Sequence, residues 1–357
     1  MTASRRPALL LIFILLLTGC RGADVWRHTE IVPIQPGQTI HLRVAHAVND
    51  RLPRMTPEQL DTLLAATRKT ALEHFGVHLE FSEISETSVD VLLALIPPKV
   101  RQARMNEIYD FKSGMGDRKQ LASGILTTLL ERKTKLTEAL AYARPYLPDT
   151  AAPKSLEEFS ILLADVMLAR LEGWRAIKAA DGKPVLDDTP RNEWIFWDTV
   201  GYGELPYDLV ITNQLVASAE YTAVEVHTAI RGGLTTGTTT FSRNSPYGSF
   251  VFWSTFPFTD TSAQSHALRG NEDYNATQAA ELSGAYLAHE VGHLLFKFGH
   301  PFGQQACVMN PASLLHYRVW QQQLDAQHCR IGNIPEMQIG AIPEIYNANW
   351  LRMAQQP

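Results

Sequence analysis

The chain has 357 residues, with 32 lysines and arginines against 37 aspartates and glutamates, a formal charge of −5. That balance lacks the concentrated basic surface of a nucleic-acid reader and excludes nucleic acid as an expected partner. Of the three cysteines, Cys20 is near the N-terminus, and Cys307 and Cys329 alone are too few for a thiolate metal site.

Residues 1–19 have the layout of a secretory signal: Arg5 and Arg6, then an apolar run from Ala8 to Leu17 too short to span a bilayer comfortably. Leu17-Thr18-Gly19-Cys20 resembles a bacterial lipobox, which implies lipid on Cys20 and a tether over residues 20–38. Arg21 is not the aspartate associated with inner-membrane retention. The implied location is therefore the cell envelope, lipid-anchored at the outer membrane and facing the periplasm.

Ile40, Leu42 and Val44 alternate as a half-buried strand. Thr56-Pro57-Glu58-Gln59 is a helix start with cap, first-turn proline and box glutamine. Leu60, Leu63, Leu64, Ala71 and Phe75 keep the helical period, and Gly76 closes it. Val77, Leu79 and Phe81 alternate again. Residues 87–200 break this pattern and predict helices near 100–111, 118–143 and 156–179, the last ended by Asp181-Gly182-Lys183-Pro184. Strand character returns at Tyr207–Thr212 and Ser249–Trp253. Between them, the threonines of residues 233–241 favour extended structure, with a plain flexible hairpin as the alternative.

Asn275-Ala276-Thr277-Gln278 opens a helix that runs to Phe298, with Gly299 as its expected stop and Pro301 after it. Inside it lies His289-Glu290-Val291-Gly292-His293. Histidines four apart share a helix face, with Cβ atoms about 5–6 Å apart. Their imidazoles can meet one Zn²⁺ at about 2.0–2.1 Å. Glu290 beside them can take a proton from zinc-bound water. On an unbroken helix His300 would lie about 10.5 Å beyond His293; a turn at Gly299 would fold it back. Asn310 and Pro311 look like the cap and first position of a further helix reaching about Gln327.

The H-E-x-x-H core, His300 and Cys307-Val308-Met309 together resemble the metzincin clan of zinc endopeptidases, and the C-x-M form is similar to its archaemetzincin branch. The resemblance implies an α+β, zincin-like catalytic domain over residues 39–86 and 201–357. Its parts are a mixed twisted sheet, a backing helix, an active-site helix and an edge strand above the metal that binds peptide by strand addition, for which residues 233–241 are the candidate. Residues 87–200 become a mostly helical insertion. It also implies Zn²⁺ on His289, His293 and His300, with Met309 as the methionine beneath the metal. Six residues separate His293 from His300 where the clan has five, and Phe296 stands at the clan's glycine. Asp325 and Glu336 therefore stay open as carboxylate third ligands, with His316 a weaker competitor. Tyr317 does not match the spacing of the clan's tyrosine ligands.

In an oxidising compartment Cys307 and Cys329 are natural disulfide partners, tying the methionine turn to the end of the last helix. The expected function is a zinc-dependent endopeptidase of the bacterial envelope, acting on peptide or protein substrates with Glu290 as general base. Two alternatives stay open: a non-catalytic envelope lipoprotein that binds or scaffolds, and a zinc hydrolase of cell-wall peptides. The intact Glu290 argues against the first. No nucleophile elbow, P-loop or dinucleotide fingerprint gives another chemistry a foothold, and no oligomeric state follows from the sequence.

Overall fold

The computed structural model describes residues 34–113, 118–148, 152–187, 189–218 and 224–342. The expected signal sequence, Cys20 and most of the expected tether lie outside the described residues.

Strand β1 (Thr39–Leu42) alternates exposed and buried positions, as its sequence predicts. It does not run on through Val44. The Arg43 N–H donates to Asp208 Oδ2 at 3.0 Å, and its carbonyl accepts from the Asp208 N–H at 2.9 Å. Arg43 therefore leaves the ladder, and β2 (Val44–Val48) begins after it. Helix α1 (Pro57–Phe75) has the capping box expected at Thr56 and Gln59, and Gly76 ends it at φ 68°. β3 (His78–Phe81) and β4 (Ser85–Ser88) follow.

Next come α2 (Val89–Leu93), α3 (Pro98–Ser113), α4 (Arg118–Glu131), α5 (Leu136–Ala143), α6 (Leu156–Arg175) and α7 (Trp194–Thr199). The helix expected over 118–143 is broken in two. Lys133 sits at φ 54° and the Thr134 N–H returns to the Leu129 carbonyl, which closes α4 with a left-handed residue. α6 stops at Arg175 instead of 179. Beyond it Ile177 and Ala179 bond back to Val185 and Lys183 around Gly182, whose φ of 75° permits the turn.

The remainder is β5 (Leu209–Thr212), α8 (Val226–Ala229), β6 (Gly237–Phe241), β7 (Ser249–Ser254), α9 (Phe256–Thr259), α10 (Ala263–Leu268), α11 (Ala276–Phe296) and α12 (Tyr317–Gln323). The helix expected from Asn310 to Gln327 is thus much shorter. Residues 311–316 spend their backbone groups elsewhere: the Leu315 N–H donates to the Leu268 carbonyl, and Leu314 is left-handed at φ 47°.

The architecture is a mixed α+β fold. Its main sheet has the order β4-β2-β5-β7-β6, parallel throughout except for β6, which pairs antiparallel with β7 and forms an edge. β1 and β3 form a parallel pair beside it. Alternation along the central strands divides two cores. Leu209, Ile211, Val251 and Trp253 face α1 and α11, whereas Val210, Phe250 and Phe252 face α2, α3 and α7. Each fully buried large apolar side chain on either face contributes roughly 1.5–3 kcal/mol. Helices α4 to α6 belong to the first core, where Trp174 donates to the Arg231 carbonyl at 2.7 Å. α1 lies directly against α11: a Cβ on Gly284 would stand 2.0 Å from the Leu63 carbonyl oxygen, so only glycine allows that approach.

Candidate metal centre

Helix α11 begins as its sequence predicts, with Asn275 and Gln278 forming a reciprocal capping box. Its end differs from expectation. The left-handed residue is Lys297 at φ 59°, not Gly299. A non-glycine residue pays about 1–2 kcal/mol for that conformation. The offset is visible in its ammonium, which donates to the Leu294 carbonyl (2.7 Å), Ser249 Oγ (2.8 Å) and the Tyr247 carbonyl (2.9 Å). Burial pulls the Lys297 ammonium down to about 7, while a cation at a helix C-terminus and three acceptors favour its charge. Gly299 instead serves as a donor, its N–H bonded to the Glu336 carbonyl at 2.7 Å.

The chain reverses over residues 297–300 and brings His300 back to the helix. The three Nε2 atoms of His289, His293 and His300 form a triangle with sides of 3.1, 3.1 and 2.9 Å. Their outer nitrogens are partly committed: His289 Nδ1 donates to the Val308 carbonyl (3.0 Å) and His293 Nδ1 to the Phe298 carbonyl (2.6 Å). Those bonds fix the tautomer with the Nε2 lone pairs turned inward. Burial lowers the proton affinity of all three rings, His293 to about 4 and His289 and His300 well below their ordinary value. Three neutral imidazoles presenting lone pairs to one point cannot satisfy each other by hydrogen bonding. They suit a tetrahedral cation, for which bonds of 2.0–2.1 Å imply nitrogen separations of about 3.3 Å. The donor set therefore fits zinc.

Glu290 is 7% exposed and faces β6, where Thr239 Oγ1 lies 2.8 Å from Oε2 and 3.1 Å from the Glu290 carbonyl oxygen. Burial raises its carboxyl to about 7, against the hydrogen bond from Thr239. Gly237 lets the edge strand descend this far, since a Cβ there would be 2.5 Å from the Trp253 ring and 2.9 Å from Glu290 Cγ. Met309 is fully buried and lies against Gly292, on the turn closed by the Asn310 N–H to the Cys307 carbonyl. The Cys307–Cys329 disulfide is present, with Cα atoms 5.0 Å apart.

The competing third ligands are not brought to the triad. Asp325 caps the Gln327 N–H, Glu336 contributes its carbonyl to Gly299, and His316 stacks edge-on against Tyr146. Tyr317 is buried with its hydroxyl 2.7 Å from Thr236 Oγ1 and its ring stacked on Phe258. A carboxylate does stand beside His300, but it is Glu225, together with His227. Neither carried a sequence signal, because their relation to His300 spans more than seventy residues. Gly292, Thr239 and Lys297 were also invisible as site residues, each acting through a contact distant in sequence. A cavity of about 460 Å³ lies elsewhere, between β2, β4 and α1, lined by His46, Leu60, Arg68 and Phe81 and holding no such triad.

No family model, curated protein or solved structure matches this chain. The functional reading therefore rests on the geometry of the site and on the sequence motif that encodes it.

Proposed function

We propose that this chain is a zinc-dependent endopeptidase with a zincin-like fold of the metzincin type, acting on peptide bonds in a bacterial cell envelope. The observation that carries the reading is the convergence of three neutral imidazole Nε2 atoms beside a buried carboxylate. The backing helix α1 against α11, the antiparallel edge strand over Glu290 and the methionine against Gly292 support the same reading. Cys20, as the lipid-bearing residue, would anchor the enzyme to the outer membrane.

His289, His293 and His300 would hold Zn²⁺, which when bound supplies a Lewis acid that acidifies water and polarises the scissile carbonyl. Glu290 then takes the proton of the attacking water and returns it to the departing amine. Thr239 holds Oε2 and leaves Oε1 to exchange the proton. β6 is the last strand of the main sheet, so an extended peptide could pair along it as a further strand. That mode favours polypeptides over small molecules.

Metal analysis of the purified protein should give one zinc per chain, released by a chelator. Glu290→Gln should keep the zinc and lose cleavage of a peptide library by several orders of magnitude. A zinc-loaded parent that cuts nothing in a broad library would refute the peptidase reading and favour a binding or scaffold protein.

A further inference from the structure

A second group of polar atoms lies on the outer side of His300. Glu225 Oε2, His227 Nδ1 and His300 Nδ1 are all buried without a hydrogen-bond partner. Oε2 stands 3.4 Å from His227 Nδ1 and 4.0 Å from His300 Nδ1. Buried polar atoms are rarely left unsatisfied, and three converging on one point call for a common explanation.

The chemistry of the set is one acceptor and two donors. With His300 Nε2 turned to the other two histidines, its ring proton belongs on Nδ1. In His289 and His293 the corresponding N–H is taken by a backbone carbonyl. His300 has no such carbonyl; the acceptor nearest its Nδ1 in this set is Glu225. The other oxygen of that carboxylate, Oε1, is bonded by Arg132 Nη2, from the turn just after α4. The Arg132 guanidinium also lies over the Phe302 ring, 6.0 Å from its centroid, and Phe302 packs edge-on against His300 at 5.5 Å.

We infer that Glu225 is a positioning residue for His300: its Oε2 pairs electrostatically with the His300 Nδ1–H at 4.0 Å, faces His227 Nδ1 at 3.4 Å as well, and is held in place by Arg132. The inference rests on His300 being a metal ligand. A carboxylate behind a ligating histidine fixes the ring and raises the basicity of the coordinating nitrogen. It also gives the helical segment a part in the site, because Arg132 reaches it from the turn that follows α4. A second cation among the same three residues is the rival reading, since their ligand atoms lie within 4.8 Å of one another. Arg132 disfavours it by already neutralising Glu225, and so does the proton on His300 Nδ1.

The test measures zinc affinity by competition with a chromophoric chelator, alongside the visible spectrum of the cobalt(II)-substituted protein and the Tm of the metal-free form. Glu225→Ala should weaken zinc binding about 10–100-fold and shift the cobalt bands. Glu225→Gln, whose amide oxygen still accepts an N–H, should recover part of both, with the metal-free Tm of the two variants alike. Should the alanine variant fold poorly, Glu225→Gln and Arg132→Gln still give a graded loss. Zinc bound by Glu225→Ala as tightly as by the parent overturns the inference and leaves His300 as ligand. Equal losses in Ala and Gln that track a fall in metal-free Tm assign Glu225 a structural role instead. Two zinc ions in the parent and one in Glu225→Ala would make the cluster a second metal site. A parent that binds no zinc overturns this inference together with the metal reading on which it rests.

Discussion

The sulfur of Met309 occupies the space that any side chain on Gly292 would need, 2.4 Å from the position of a Cβ there. The Phe75 ring closes the same space at 2.8 Å. Glycine between Glu290 and His293 is therefore what lets the methionine turn come up against the motif helix. Gly292→Ala should cost about 1–3 kcal/mol by overpacking, read as a lower urea midpoint with an unchanged slope. Met309→Ala in that background should restore part of the loss, because it removes the clashing Sδ and Cε atoms. Additive effects in the double variant would show that the two residues do not compete for this space.

The third ligand can be assigned by a comparison of four alanine variants. His300→Ala should reduce zinc affinity strongly, while alanine at His316, Asp325 or Glu336 should leave it near the parent value. The expectation follows from the Nε2 triangle, in which none of the other three residues takes part. Competition with a chromophoric chelator reads all four. Zinc release by Asp325→Ala or Glu336→Ala, with His300→Ala unaffected, would assign the site to a carboxylate and remove the metzincin reading.

The Cys307–Cys329 bridge joins residues at a sequence separation of 22. In the chain-entropy model its loss should cost about 3 kcal/mol, measured as the urea midpoint of Cys329→Ser against the parent. Zinc affinity should fall as well, because Val308 next to Cys307 accepts the His289 Nδ1–H. A variant with lowered stability but parental zinc affinity would show that the turn holds its place without the bridge.

Two buried histidines outside the triad contribute a pH dependence of stability. Burial lowers both His46 and His74 below their ordinary value of 6.5. In the unfolded chain they take up protons near pH 6.5, and in the fold only below it. Between those limits the unfolded state binds more protons, so stability falls as pH drops below 6.5 and is unaffected above it. Urea unfolding of metal-free protein at pH 7.5 and 5.5 should show this loss, and it should be smaller in His46→Gln and His74→Gln. Slopes identical to the parent in both variants would assign the acid sensitivity to other groups.

Elements with local causes were legible in the sequence. The capping boxes at Thr56 and Asn275, the alternation at Ile40 and Leu42, and the pair His289 and His293 all act within a few residues of themselves. What escaped was decided across the fold. Arg43 breaks its strand because of Asp208, 165 residues away. Lys297, not Gly299, takes the left-handed position, where its ammonium finds acceptors on the β6–β7 turn and at the start of β7. Glu225 reaches His300 only once α8 and the helix end have been brought together. The edge strand sits between these cases: its threonines announced extended structure, but only the Thr239 contact to Glu290 ties it to the site.

The reversal that delivers His300 is made by chain that comes later. Residues 296, 297 and 299 exchange backbone bonds with Gly340, Ile342 and Glu336. During synthesis the first two ligands can be in place on a finished helix while the third still has nothing to hold it. The complete triad is therefore a late product of folding, dependent on the last described residues closing over it. A chain cut before residue 336 would keep the H-E-x-x-H helix and its sheet, yet bind metal through two nitrogens and not three.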